Sequence, residues 1–380
     1  MEKKGGVWRI LLIIGIVIVA VLLCYFSVVL YFYCTKTNDI SSKLSLFNLF
    51  SDEQVGEMYQ DVSYEIKNGE DDTYYGVNVN ENGYLLTVAH NVDENEEFLA
   101  FSKNGTVFNG ELVFCDDNYN LAVIKLYDLQ DSEKVLSLPY VRLSGVSFFN
   151  SSYISIGKTS DEEISTATNV DYTYQAISLT TQHDGIDVVD SIYTNAIMFE
   201  SENDSYGLFD KRGNLVGLTY AYADTSEGRE YFAIPVDLFD NTLNKIISLN
   251  GERLQNALVN SLHGYDMFEF EQYLSYPISE SSGVDQIFFD GAWQIVDENV
   301  HSYYASGLDG FYLTENLTYN ETVIPKGSMI QSVTYNNFSY QITVRLDLVD
   351  LLYQSNAGET LTITYTNMQT GEQTETQILV

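Results

Sequence analysis

From Asp61 to Leu218 the chain is a succession of short alternating or apolar runs, each cut off by a turn signal. Asn68-Gly69, Asn82-Gly83, Asn104-Gly105, Asn109-Gly110 and Gly213-Asn214 punctuate it. Runs of that length between such dipeptides form strands, and their repeated spacing suits a barrel pair or a sandwich. The clearest are Tyr84 to Val88, β-branched and aromatic after its Asn-Gly, and Leu121 to Leu126, apolar and too short for a helix. The reading is a mostly β fold.

The flanks differ. Ile10 to Tyr33 carries no charge, which at 1.5 Å per residue spans a hydrocarbon core of ~30 Å. Its length and the lack of a small-residue cleavage site distinguish it from a secretory signal. Lys3, Lys4 and Arg9 precede it and acidic residues follow, so residues 1–9 are read as a cytoplasmic tail, 10–33 as a single transmembrane helix, and the bulk as extracytoplasmic. Residues 34–58 read as a polar linker with one amphipathic patch (Leu44, Leu46, Phe47, Leu49, Phe50). Val236 to Leu249 reads as a helix closing a domain over 59–250, and 251–283 as a helical connector. A last unit over 284–380 has a strand at Gly327 to Val333, helical spacing from Thr343 to Tyr353, and strands at Gly358 to Tyr365 and Thr374 to Val380.

Charge narrows the partners. At 380 residues and a net charge of −36, the chain would repel nucleic acid, and the acidic surface reads as a solubilising one. Of three cysteines, Cys24 and Cys34 lie in or beside the apolar run, so Cys115 has no partner for a bridge in the folded part. The four histidines (90, 183, 263, 301) are scattered, no zinc spacing occurs, and no cofactor is expected. Asp116, Asn118 and Asn120 alternate as in a calcium loop, but Leu121 stands where such a loop needs Gly.

Two stretches carry chemistry: Gly83-Tyr84-Leu85-Leu86-Thr87-Val88-Ala89-His90-Asn91-Val92 and Asn120-Leu121-Ala122-Val123-Ile124-Lys125. They resemble the HtrA (DegP-like) branch of the trypsin-fold serine proteases, whose motifs "G-Y-I-L-T-N-x-H-V" and "D-L-A-V-L-K" hold the general base and its orienting acid. Leu208 to Leu218 resembles that family's "P-L-x-D-x-x-G-x-V-I-G-I", and Phe232-Ala233-Ile234-Pro235 its "F-A-I-P". Gly327 to Thr334 and Gly358 to Thr364 resemble its appended PDZ domain. The resemblance implies a trypsin-like double β-barrel plus a PDZ-like domain, with trimers formed through the N-terminal part of the protease domain.

Carried over residue by residue, the resemblance makes His90 the base and puts Asn120 where the acid belongs. The family's nucleophile lies in G-N-S-G-G-P. Counting back from Leu208 without gaps gives Glu202-Asn203-Asp204-Ser205-Tyr206-Gly207, so Asp204 stands in the serine's place, Glu202 in that of the first Gly and Tyr206 in that of the last Gly before Pro. Ser205 reaches the nucleophile position only with an insertion before it and a deletion after it. A triad needs a hydroxyl within reach of a base, an acid fixing the base's tautomer and amides for the oxyanion. The expectation is a membrane-anchored pseudoprotease that binds peptides or unfolded segments, with His90 left as a structural partner of Asp204. The alternative is an active endopeptidase using Ser205 and His90, with Asp116 or Asp117 supplying the acid. Gly307-Leu308-Asp309-Gly310-Phe311-Tyr312-Leu313 resembles a PDZ carboxylate-binding loop and its peptide-accepting strand, which makes Gly307, Leu308, Gly310, Phe311 and Leu313 the expected peptide contacts.

Overall fold

The computed structural model describes residues 14–27, 38–45, 52–68, 72–89, 92, 97–146, 153–157, 164–183, 186–201, 205–224, 229–266, 286–289, 292–295, 310–320, 322–368 and 370–380. Two β-barrels form its centre. The first joins β1 (Ser63–Asn68), β2 (Asp72–Asn78), β3 (Tyr84–Val88), β4 (Phe98–Ser102), β5 (Val107–Asp116) and β6 (Leu121–Asp128), closed in the order β1-β2-β3-β6-β5-β4. The second uses β7 (Arg142–Leu143), β8 (Tyr153–Ile156), β9 (Ile164–His183), β10 (Ile186–Glu200), β11 (Gly207–Asp210), β12 (Asn214–Asp224) and β13 (Arg229–Pro235). Its order is β11-β8-β9-β10-β13-β12, the β11–β12 pairing closes the ring, and β7 runs parallel to β12 outside it.

Strand alternation explains why β3 is buried along its whole length. Tyr84, Leu86 and Val88 enter a core shared by both barrels, whereas Leu85 faces the first barrel's interior with Tyr64, Ile66, Phe98 and Ile124. In β6, Leu121 and Val123 join the shared core while Ile124 and Leu126 turn inward. The seam between the barrels is therefore apolar, and Tyr75 of β2 stacks on Tyr206 across it, centroids 5.1 Å apart.

The helices follow. Residues 14–27 form α1, and no helix among the described residues is long and apolar enough to cross a membrane. The expected tail at 1–9 and the rest of the 10–33 span lie outside the described residues. Within the stretch 34–58, read as a linker, α2 (Ile40–Ser45) and the start of α3 (Asp52–Gln60) bury Ile40, Leu44 and Val55 in the shared core, and Tyr59 at the end of α3 joins them. Tyr59 stacks on Phe209 at 4.4 Å and donates its hydroxyl to the Asp210 carbonyl. Asp39 accepts from Arg142 at 2.5 Å, and Ser41 donates to the Gly213 carbonyl at 2.7 Å. A 3-10 turn (Asp237–Phe239) and α4 (Asp240–Ser248) close the barrels as expected.

The connector at 251–283 is corrected in part. It contains a 3-10 turn at Val259–Ser261 and then β14 (Gly264–Asp266), which belongs to the C-terminal sheet. That sheet's unit comprises β15 (Gln286–Phe289) and β16 (Ala292–Ile295) as a hairpin, β17 (Phe311–Leu313), β18 (Leu317–Tyr319), β19 (Thr322–Ile324), β20 (Ser328–Tyr335), β21 (Phe338–Gln341), β22 (Thr360–Asn367) and β23 (Gln373–Leu379). The sheet order is β14-β17-β20-β22-β23, with β21 on β20. Helix α5 (Arg345–Gln354) starts where the Asp347 carboxylate accepts the Thr343 and Val344 amides, and it buries Leu348, Val349, Leu351, Leu352 and Tyr353.

Gly213 turns the β11–β12 hairpin beneath α2 at φ +93°, where a Cβ would meet Ser41 Cα at 2.7 Å and the Ile40 carbonyl at 2.9 Å. Gly105, at φ +82°, has open space instead. Gly105→Ala is expected to cost about 1–2 kcal/mol, the left-handed penalty alone. Gly213→Ala should cost about 3 kcal/mol or more, because the neighbouring backbone cannot move aside. Urea midpoints of the full chain in detergent check the difference; equal costs would mean that α2 does not press on this hairpin.

Candidate active site

The site is built from strand ends at the inter-barrel seam. β5 and β6 are joined by a turn that Asp116 organises: its Oδ1 accepts the Tyr119 amide at 2.9 Å and its Oδ2 the Asn118 side chain at 3.2 Å. The Asn120 amide closes the turn on the Asp117 carbonyl at 3.2 Å, and Asn120 itself sits at φ +52°. Asn is one of the few side chains that tolerate that region. The Asn120 carbonyl then accepts the Ala89 amide at 3.0 Å, fastening the loop to the end of β3, one residue before His90.

Asn120 is 3 % exposed, and its Nδ2 has no hydrogen-bond partner among the described residues. His90 and Asp204 lie outside the described residues, as do Glu202 and Asn203. Ser205 is described: it is 1 % exposed, with its Oγ 3.2 Å from Thr219 Oγ1 on β12 and 3.5 Å from the Gly207 carbonyl. Beside it, Tyr206 donates its amide to Ile156 and its carbonyl accepts from Thr219, both at 3.0 Å. Burial pushes the Tyr206 phenol well up, with a hydrogen bond from Ser63 opposing, so the ring is a neutral wedge against Tyr75. Asp116 and Asp117 stay in the turn, and the Asp116 carboxylate is already committed.

Gly307 and Leu308 lie outside the described residues. Gly310, Phe311 and Leu313 are described and buried, but β17 has both edges occupied: Gly264–Asp266 pairs along one and Met329 and Ile330 along the other. A peptide adding to Phe311–Leu313 would have to displace β14. β14 and β23 each have one described neighbour in the sheet, and Arg345 at the start of α5 donates to the Gly264 carbonyl on β14.

A second set of residues gave no signal in the sequence. Tyr353 of α5 donates to Asp116 Oδ2 at 2.8 Å, which ties the C-terminal unit to the turn that ends in Asn120. Three residues earlier, Asp350 accepts Thr242 at 2.9 Å, Asn241 at 3.1 Å, Gln354 at 2.6 Å and Tyr119 at 3.5 Å. Phe114, Tyr119, Phe239 and Tyr353 pack edge-on or tilted, with centroids 5.1 to 6.5 Å apart. A polar cleft of about 570 Å³ opens beside this seam, lined in part by Asp117, Asn118, Arg253 and Asn256. Among the described residues no three His, Cys, Asp or Glu side chains converge as metal ligands.

No protein-family model and no curated protein matches the chain. Solved structures do. The HtrA-type protease AlgW, as a serine-to-alanine variant with a tripeptide, aligns at a TM-score of 0.50 and 15 % identity, over 87 % of this chain and 97 % of that one. AlgW with a decapeptide aligns at 0.49 and 14 %, over 87 % and 98 %. The serine endoprotease from Yersinia pestis aligns at 0.44 and 17 %, over 87 % and 97 %. The fold of this chain is therefore similar to that of HtrA-type serine proteases, as the two closed barrels already indicate.

Burial raises the Asp350 carboxyl, and the donors from Asn241, Thr242, Gln354 and Tyr119 offset part of the rise. The folded chain thus holds this proton to higher pH than the unfolded one. Its contribution to stability is complete below the unfolded value of about 3.9 and is lost as pH rises through the folded value. Melting curves should show wild type losing stability relative to Asp350→Asn across that window, and parallel curves would remove Asp350 from the seam. Tyr353→Phe should cost about 1–3 kcal/mol, since Asp116 loses a buried donor.

Proposed function

We propose that this chain is a membrane-tethered protein of HtrA-like build that holds extended polypeptide outside the cytoplasm and no longer cuts it. The observation that carries the reading is Asn120. Where the resemblance to the HtrA motifs expects an orienting acid, the chain has a buried amide whose nitrogen is unsatisfied among the described residues. Replacing such an acid by its amide leaves the base in the wrong tautomer and lowers turnover by about 10⁴. The sequence adds to this with Asp204 in the nucleophile's place and Glu202 where an oxyanion loop needs Gly. The Ser205 alternative is disfavoured by its burial and by its hydrogen bond to Thr219.

Peptide binding is assigned to the C-terminal, PDZ-like unit. The edge of β14 that has no neighbour among the described residues, with α5 alongside, offers main-chain groups to which an extended segment adds as a strand. The anchor is α1 with its uncharged flanks: Ile16, Leu22, Leu23, Tyr25 and Phe26 are each at least 60 % exposed, an apolar surface suited to lipid.

Two measurements test this. A fluorophosphonate probe should leave the wild-type chain unlabelled, and the combined change Glu202→Gly, Asp204→Ser, Asn120→Asp should gain labelling. Labelling of the wild type that Ser205→Ala abolishes would overturn the reading. Alkaline carbonate extraction should leave the chain with membranes and release a variant lacking residues 1–37; release of the full chain would refute the anchor.

A further inference from the structure

Strands β9 and β10 are longer than the barrel that contains them. β8 pairs with β9 only over Ile164–Ala167, and β13 pairs with β10 only over Ile197–Glu200. Beyond those contacts the two strands pair with each other alone, in unbroken register from Ala196 opposite Thr173 to Ile186 opposite His183. At about 3.4 Å per residue, those eleven register pairs make a ribbon roughly 35 Å long. No other described strand lies against either of its edges.

Such a ribbon is unusual in two ways. Two strands without a third are marginally stable in water, and each outer edge is a row of backbone donors and acceptors open to another chain. Natural edges are commonly guarded by Lys, by Pro or by bulges. From Tyr172 to Ala196 the sequence has no Lys, Arg or Pro, the register has no bulge, and β-branched residues are frequent. Within that stretch the acidic residues of the described strands are Asp187 and Asp190, on a chain of net charge −36.

We propose that this ribbon is an acceptor edge for an extended, positively charged polypeptide segment, which adds to it as a further strand. Main-chain pairing supplies contacts that do not depend on sequence, and the aspartates select for Lys- or Arg-bearing segments. A second copy of this chain is a poor occupant, because it brings the same negative charge to the same edge. The proposal rests on the reading that the chain holds polypeptide, and it adds a second site and a ligand class to that reading.

The test uses the full chain in detergent and two labelled twelve-residue peptides, three repeats of Lys-Thr-Val-Thr and three of Glu-Thr-Val-Thr. Fluorescence anisotropy reads affinity and hydrogen exchange reads where amides become protected. The Lys peptide should bind tighter than the Glu peptide by on the order of tenfold or more, weaken with added salt, and slow exchange across residues 172–196. Val189→Pro should remove that protection. The double change Asp187→Lys, Asp190→Lys, which keeps the strand residues able to pair, should reverse the peptide preference whether or not the proline variant folds. Equal affinity for both peptides would overturn the proposal, as would concentration-dependent association that protects 172–196 without peptide. Protection by the Lys peptide at residues 264–266 alone would overturn the ribbon site and leave polypeptide holding intact. Binding of neither peptide anywhere would overturn both.

Discussion

The hydrogen bond from Tyr353 to Asp116 links the parts of this molecule that matter for its chemistry. Asp116 is the residue that shapes the turn between β5 and β6, and that turn ends at Asn120, whose carbonyl is bonded to the end of β3. The C-terminal unit therefore does not hang from a flexible tether. Its helix is fastened at two adjacent turns, through Tyr353 to the turn and through Asp350 to α4, around a packed group of four aromatic rings. Each polar contact contributes only about 1 kcal/mol, but those of Tyr353 with Asp116 and of Thr242 with Asp350 are buried or half-buried, where an unmet partner costs more than the bond returns.

The N-terminal segment is fastened in a comparable way. Tyr59 against Phe209 and Ser41 against Gly213 hold α2 and α3 to the β11–β12 hairpin. β11 begins two residues after Ser205, so the chain between the apolar helix and the barrels packs against the strand that follows the candidate nucleophile loop. Both flanking segments thus pack beside the β5–β6 turn and the hairpin that follows Ser205.

The polypeptide holding proposed above would use strand edges that lack a second neighbour among the described residues. β14 ends the C-terminal sheet among the described strands, and the β9–β10 ribbon runs past its barrel with no third described strand. Edge pairing recognises extended backbone with little regard to sequence. Charge then provides the selectivity that backbone pairing lacks.

The strand architecture was legible in the residues themselves, because alternation and Asn-Gly turns are local properties: Tyr84–Val88 and Leu121–Asp128 fall where the pattern puts them, and so do α4 and α5. The substitutions at positions 120, 202 and 204 were equally plain, since spacing from the neighbouring motifs needs no coordinates. Tertiary structure alone decided the rest. The stretch over 34–58 packs on the core because Ile40, Leu44 and Val55 bury there and Ser41 bonds the Gly213 carbonyl 172 residues away, and no local pattern announces such a partner. Phe311–Leu313 reads as a peptide-accepting edge in the sequence, yet Gly264–Asp266 pairs with it, and the burial of Asn120, whose side-chain nitrogen has no partner among the described residues, depends on segments distant in the chain. Sequence periodicity specifies which residues become strands; which strand lies beside which, and what a buried polar atom finds there, depends on contacts between distant segments.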